Sequence, residues 1–155
     1  MRKNKMMILL FSVLFILSGC SSSNVPLLDD KINPDDIDRI QVVLAMGNPD
    51  YGADSKIITD RGEIQSMVEA FNYASLGEQA TRDDVPPSFN SMYLFFSDDL
   101  LIHQFYFNGN YTGLIHLNTT WHFVSYVDRT PFQLYQESIA PVIVVDLDFN
   151  EMERP

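Results

Sequence analysis

Residues 91–127 read SMYLFFSDDLLIHQFYFNGNYTGLIHLNTTWHFVSYV. Apolar and aromatic runs alternate with Asp98-Asp99, Asn108-Gly109-Asn110 and Asn118-Thr119-Thr120. Runs of about 4–8 β-branched and aromatic residues between such turn-formers are strands joined by tight turns. The segment therefore predicts a four-stranded antiparallel meander over 91–97, 100–107, 111–117 and 121–127.

Register follows from asking which pairing gathers the large apolar residues on one face, because a one-residue slip turns every side chain over. Pairing Ser97 with Leu100, Phe107 with Tyr111 and Leu117 with Trp121 places Met92, Leu94, Phe96, Phe105, Phe107 and Ile115 together as a core face. His103 falls on that face and reads as a buried, satisfied histidine. The opposite face then carries Tyr93, Tyr106, Tyr126, His116 and His122 among Phe95, Leu114 and Val124. It is too apolar for a freely wetted face. Either the C-terminal residues and a short second helix partly cover it, or it is a recognition surface, to which Tyr brings area at little entropic cost. In this register His116 and His122 oppose each other with Cβ atoms about 5 Å apart. Two facing imidazoles are weak candidates for a zinc or copper site, or simply a hydrogen-bonded pair, and no Asp, Glu or Cys within two positions supplies a third ligand.

Outward from the meander, Ile40, Val42 and Leu44 alternate with Gln41, Val43 and Ala45 as a strand, and 56–59 form a second short one. Asp60 is a helix N-cap, with Glu63 spaced to reach back to its amide. Ile64, Met67, Val68 and Phe71 then form one apolar stripe, the natural cover for the sheet. Residues 74–90, with Gly77 and Pro86-Pro87, read as a long loop of the kind that often carries function. Thr130-Pro131 caps a short helix over 131–138, and 142–147 form a last extended segment. The fold class expected is α+β: an antiparallel sheet, the meander plus N-terminal strands, with one amphipathic helix on one face and a short C-terminal helix.

The chain begins MRKNKMMILLFSVLFILSGC: three bases, an apolar run too short to span a bilayer, and small residues before the only cysteine of 155 residues. Leu17-Ser18-Gly19-Cys20 resembles the lipobox of bacterial lipoproteins, in which signal peptidase II cuts before a diacylglyceryl-modified Cys. The resemblance implies that residues 1–19 are a signal peptide and that Cys20 is the lipidated N-terminus, palmitate-type chains anchoring the protein extracytoplasmically to the cell membrane. Residues 20–36 read as an acidic, Ser-rich tether, 37–149 as a single globular domain and 150–155 as a frayed tail. Lys56-Ile57-Ile58-Thr59-Asp60, the helix behind it and the Tyr-rich meander are similar in order to small uncharacterised Gram-positive lipoproteins. That likeness covers about 37–137 and carries over no catalytic residue.

Without the signal, seven Lys and Arg face 21 Asp and Glu, a formal charge of −14. Nucleic acid is excluded as a partner, since phosphate neutralisation needs clustered bases. No nucleophile elbow, phosphate-binding loop, H-E-x-x-H or C-x-x-C occurs, and Asp146-Leu147-Asp148-Phe149-Asn150 matches only half of a calcium loop. No cofactor is implied. The expectation is a non-enzymatic binding or interaction module at the cell envelope, partnered by the membrane through Cys20 and by an envelope protein. Two alternatives stay open: a metal-binding or hydrolytic protein centred on His116 and His122, and an accessory subunit of an envelope complex.

Overall fold

The meander sits in the middle of a larger sheet. The computed structural model describes residues 25–45, 52–81, 91–108, 113–117 and 119–145. In chain order these form β1 (Val25–Pro26), a single 3-10 turn (Pro34–Asp36), β2 (Arg39–Ala45), β3 (Ala53–Ile58), α1 (Arg61–Asn72), β4 (Ser75–Gln79), β5 (Ser91–Ser97), β6 (Leu100–Asn108), β7 (Leu114–Leu117), β8 (Thr120–Ser125), α2 (Pro131–Glu137) and β9 (Val142–Val145). The nine strands make one sheet in the order β1-β4-β8-β7-β6-β5-β2-β3-β9, antiparallel at every pairing. The fold is α+β as expected.

Four connections in this order join strands that are not neighbours, β1 to β2, β3 to β4, β4 to β5 and β8 to β9, and two of them carry an α-helix. The chain leaves β3 near one edge and resumes at β4 near the other, then leaves β8 and returns to β9 on the first edge. These two crossings are each made by an α-helix, and both helices lie over the same face. Ile64, Met67, Val68 and Phe71 of α1 are all essentially fully buried, the whole of the stripe read from the sequence. Phe71 is the hub, its ring centroid 4.5–5.8 Å from those of Tyr93, Phe95, Phe105 and Phe107. Ile40, Val42, Ile58 and Ile115 complete the core beneath it.

The helix ends have specific chemistry. Asp60 Oδ1 accepts from the Glu63 N–H at 3.0 Å, the cap expected. The Glu63 carboxylate does not turn back to Asp60; it accepts from Ser138 Oγ at 2.5 Å and from the Ile139 N–H at 3.0 Å. A reciprocal capping box closes α2 instead, where Thr130 Oγ1 accepts from the Gln133 N–H and Gln133 Oε1 from the Thr130 N–H. Lys56, buried on the helix side of β3, donates to the carbonyls of Tyr135 at 2.8 Å and Ser138 at 2.7 Å. Lys56 and Glu63 together thus pin the C-terminal end of α2.

Several sequence expectations are corrected. Residues 25–36 do not behave as tether: Val25 and Pro26 pair with Leu76 and Ser75, Leu27 and Ile32 are buried, and the Leu27 N–H donates to the Ala74 carbonyl. Ser75–Gln79, read as loop, is an extra strand between β1 and β8. The Ser97–Leu100 pairing holds, with Asp98 and Asp99 both at positive φ as a two-residue hairpin of this hand requires. A bulge then intervenes: Phe96 pairs with Leu101 but Phe95 with His103, so Ile102 drops out of register. Tyr93 and Phe95 thereby join Phe105 and Phe107 on the helix side, while Met92, Leu94 and Phe96 turn to the other. Leu117 pairs with Thr120, not Trp121, a slip of one position. Phe107 pairs with Ile115, and its expected partner Tyr111 lies outside the described residues, as do Cys20, the half calcium loop and the C-terminal tail.

Candidate interaction surface

The five residues expected to share a recognition face do not share one. Tyr93 is in the core, 1% exposed, beneath Phe71. Tyr126 also lies on the helix side, its ring packed over Gly113. That glycine has φ +55°, and a Cβ there would come within 3.3 Å of the ring, so the close approach depends on the missing side chain. Burial raises the phenol pKa of both tyrosines, Tyr93 in spite of a hydrogen bond from Ser91 that acts the other way. Tyr106 is half-buried on the helix-free face, its pKa also raised by desolvation.

The slip at β7–β8 separates the histidines. His116 pairs with Trp121 and His122 with Ile115, so their side chains leave opposite faces of the sheet. The His116 ring packs on Trp121 at 4.9 Å between centroids. His122 Nε2 lies 2.9 Å from Thr120 Oγ1. The facing pair expected from the sequence is thus not formed. His103 is on the helix side as expected but half-buried rather than buried, stacked on Phe105, and desolvation lowers its pKa. Among the described residues no three His, Cys, Asp or Glu side chains come together as a metal site would require.

What the structure does bring together is a different surface. Both α-helices lie over one face, and no described helix or strand lies over the other, on which Val43, Ala53, Ser55, Asn108 and Leu114 are nonetheless buried. On β5 this is the face expected to be the core beneath α1; α1 instead covers the opposite face, where α2 lies beside it, and β9 extends the sheet edge. Across the helix-free face run Ile57, Leu94, Phe96, Trp121, Phe123 and Ile143, all half-buried or exposed, with Ile57 and Ile143 about 40% exposed. Polar Gln41 and Gln104 flank Leu94 on its two neighbouring strands. At one corner Arg39 stacks its guanidinium 4.2 Å over the Phe96 ring and pairs with Asp99. The mixture of aliphatic, aromatic and amide groups resembles the core of a protein interface more than a wetted sheet face.

The helix side offers a second concavity, a cleft of about 280 Å³ between α1 and α2 floored by Ile58, Met67 and Leu134. Its charged rim is satisfied internally: Glu63 is held by Ser138 and Ile139, and Glu137 by Arg129 at 2.8 Å. Among the described residues no helix is long and apolar enough to cross a membrane. Compared with protein-family models, curated proteins and solved structures, the chain matches none.

Proposed function

We propose that the protein is a lipid-anchored, extracytoplasmic interaction module that docks an envelope protein on the helix-free face of its sheet. The observation that carries the reading is the one-sided helix cover of a nine-stranded sheet whose other face presents Leu94, Phe96, Trp121 and Phe123. Apolar surface of this extent in a chain of −14 mature charge is matched by a partner contributing apolar and aromatic groups. Anchoring rests on the lipobox-like Leu17-Ser18-Gly19-Cys20.

Photo-crosslinking from the full chain in intact bacterial envelopes tests both parts. A benzophenone side chain at Leu94 or Phe123 is expected to yield one discrete adduct, and at Gln136 on the helix side none. Adducts from both sides alike, or from neither, refute the docking face. Mass spectrometry of the N-terminal peptide is expected to show a diacylglyceryl thioether on Cys20, and Cys20→Ser to release the protein from the membrane fraction. An unmodified Cys20 refutes the anchor.

A further inference from the structure

We infer that the β1–β4 edge of the sheet is seated against the lipid surface, on a leash too short to let the domain stand away from it. The inference rests on the proposed anchor at Cys20 and adds an orientation to it. Its first support is how firmly the chain is held from Val25 onward. Val25 and Pro26 are already paired with β4, Leu27 is buried and bonded to the Ala74 carbonyl, and Asn72 holds the Ile32 backbone by two hydrogen bonds of 2.8 Å. Only residues 21–24 separate Cys20 from this fixed point. Five residue steps extend at most about 18 Å. Nine strands at about 4.8 Å spacing make a sheet roughly 38 Å across, with β1 at one extreme and β9 at the other. A leash under half that width keeps β1 and β4 near the headgroups.

The side chains around that edge suit the position. Tyr73, immediately after α1, is 55% exposed, Val25 52% and Val127 83%. Lys31 Nζ sits 4.1 Å over the Tyr73 ring, and a tyrosine with a basic neighbour is a common pairing at headgroup depth. Tyr73 and Val127 line one shallow depression together with Glu69, Asp128 and Arg129. Charges of both signs there, in a strongly acidic chain, mean that the contact is made by tethering and not by attraction to anionic lipid. With this edge down, the helix-free face stands across the membrane plane, open to a partner alongside.

The test uses the full lipidated chain in phosphatidylcholine vesicles carrying a spin-labelled headgroup, with Trp121→Phe removing the sole tryptophan. Reporters are placed singly by Tyr73→Trp, Val127→Trp and Val144→Trp, the last on the distal edge strand. Quenching is expected at the first two and not at Val144, and a Gly/Ser spacer of about 20 residues after Ser23, roughly 25 Å in r.m.s. length, is expected to abolish it. Equal quenching at all three, none at Tyr73 and Val127, or indifference to the spacer overturns the seating while a mass spectrum still showing lipidated Cys20 leaves the anchor standing. An unlipidated Cys20 in the same preparation overturns both.

Discussion

The Asn72 carboxamide spends both its polar ends on Ile32: Oδ1 accepts from the Ile32 N–H and Nδ2 donates to the Ile32 carbonyl, each at 2.8 Å. A side chain on the last residue of α1 thus does for the N-terminal segment what a neighbouring strand would do. It holds Leu27, Ile32 and Ile37 over the core in a stretch otherwise rich in Asp.

Replacing Asn72 by Ala should therefore leave two backbone groups of Ile32 without partners, at a cost of about 1–3 kcal/mol. Urea denaturation should show a lower midpoint at unchanged slope. Hydrogen exchange should report the loss locally, with the amides of residues 27 and 32 exchanging faster and those of α1 retaining their order. Loss of protection throughout the sheet in equal measure would contradict a local strap.

Lys56 makes a similar prediction at the other end of the molecule. Its ammonium is buried between the Tyr135 and Ser138 carbonyls, at the C-terminal end of α2 where a positive charge also complements the helix dipole, and lies 4.8 Å from the Tyr135 ring. Lys56→Met keeps the stem and removes the donors, and should destabilise the fold by about 2–4 kcal/mol. Glu63→Gln, which weakens the neighbouring grip on Ser138 and Ile139, should cost less. Because both residues pin the same turn, the double variant should fall short of the sum of the two singles, a coupling that a double-mutant cycle reads directly.

Helix α1 was legible because its signals agree: an Asp cap, a 3.6-residue stripe and no competing pattern. The strand faces were not, because Met92-Tyr93-Leu94-Phe95-Phe96 is apolar at every position and either face could have been the core. A bulge at Ile102 decided between them, and bulges leave no mark in hydrophobic pattern. At the β7–β8 turn the short loop places Thr119 at φ +75°, a conformation that a β-branched residue seldom adopts, so sequence reasoning spread the turn over one residue more and brought His116 and His122 onto one face. Leu27, Ile32 and Ile37 sit five residues apart, a spacing that matches neither helix nor strand, and so the strap read as tether. The candidate surface was missed for the same reason as the register, since Leu94 and Phe96 were assigned to the core.

Phe71 tests the core assignment. It touches four aromatic rings contributed by β5 and β6, all edge-on or tilted. Phe71→Ala should cost about 3–5 kcal/mol, and Phe71→Leu clearly less. Leu94→Ala, on the helix-free face, should cost no more than about 1 kcal/mol. Thermal unfolding of the three variants gives the order, and a reversal between Phe71 and Leu94 would place the core on the wrong side of the sheet.

Burial of Tyr93 and Tyr126 fixes how stability depends on pH at the alkaline end. Desolvation raises both phenols in the native state, while in the unfolded chain each titrates near the ordinary value of about 10. Below that value both states hold the proton and the two tyrosines contribute no pH dependence. Above it the unfolded chain releases protons that the native state retains, so stability falls as pH rises, by up to about 1.4 kcal/mol per pH unit for each tyrosine. Urea midpoints measured from pH 9 to 11.5 should decline accordingly, and Tyr93→Phe, which keeps the ring and removes the titrating group, should flatten the decline while lowering stability little at pH 7. Absorbance at 295 nm should show part of the phenolate signal appearing only with unfolding. An unchanged slope in Tyr93→Phe, or complete tyrosine titration in the folded protein near pH 10, would show that these hydroxyls are not held in the core.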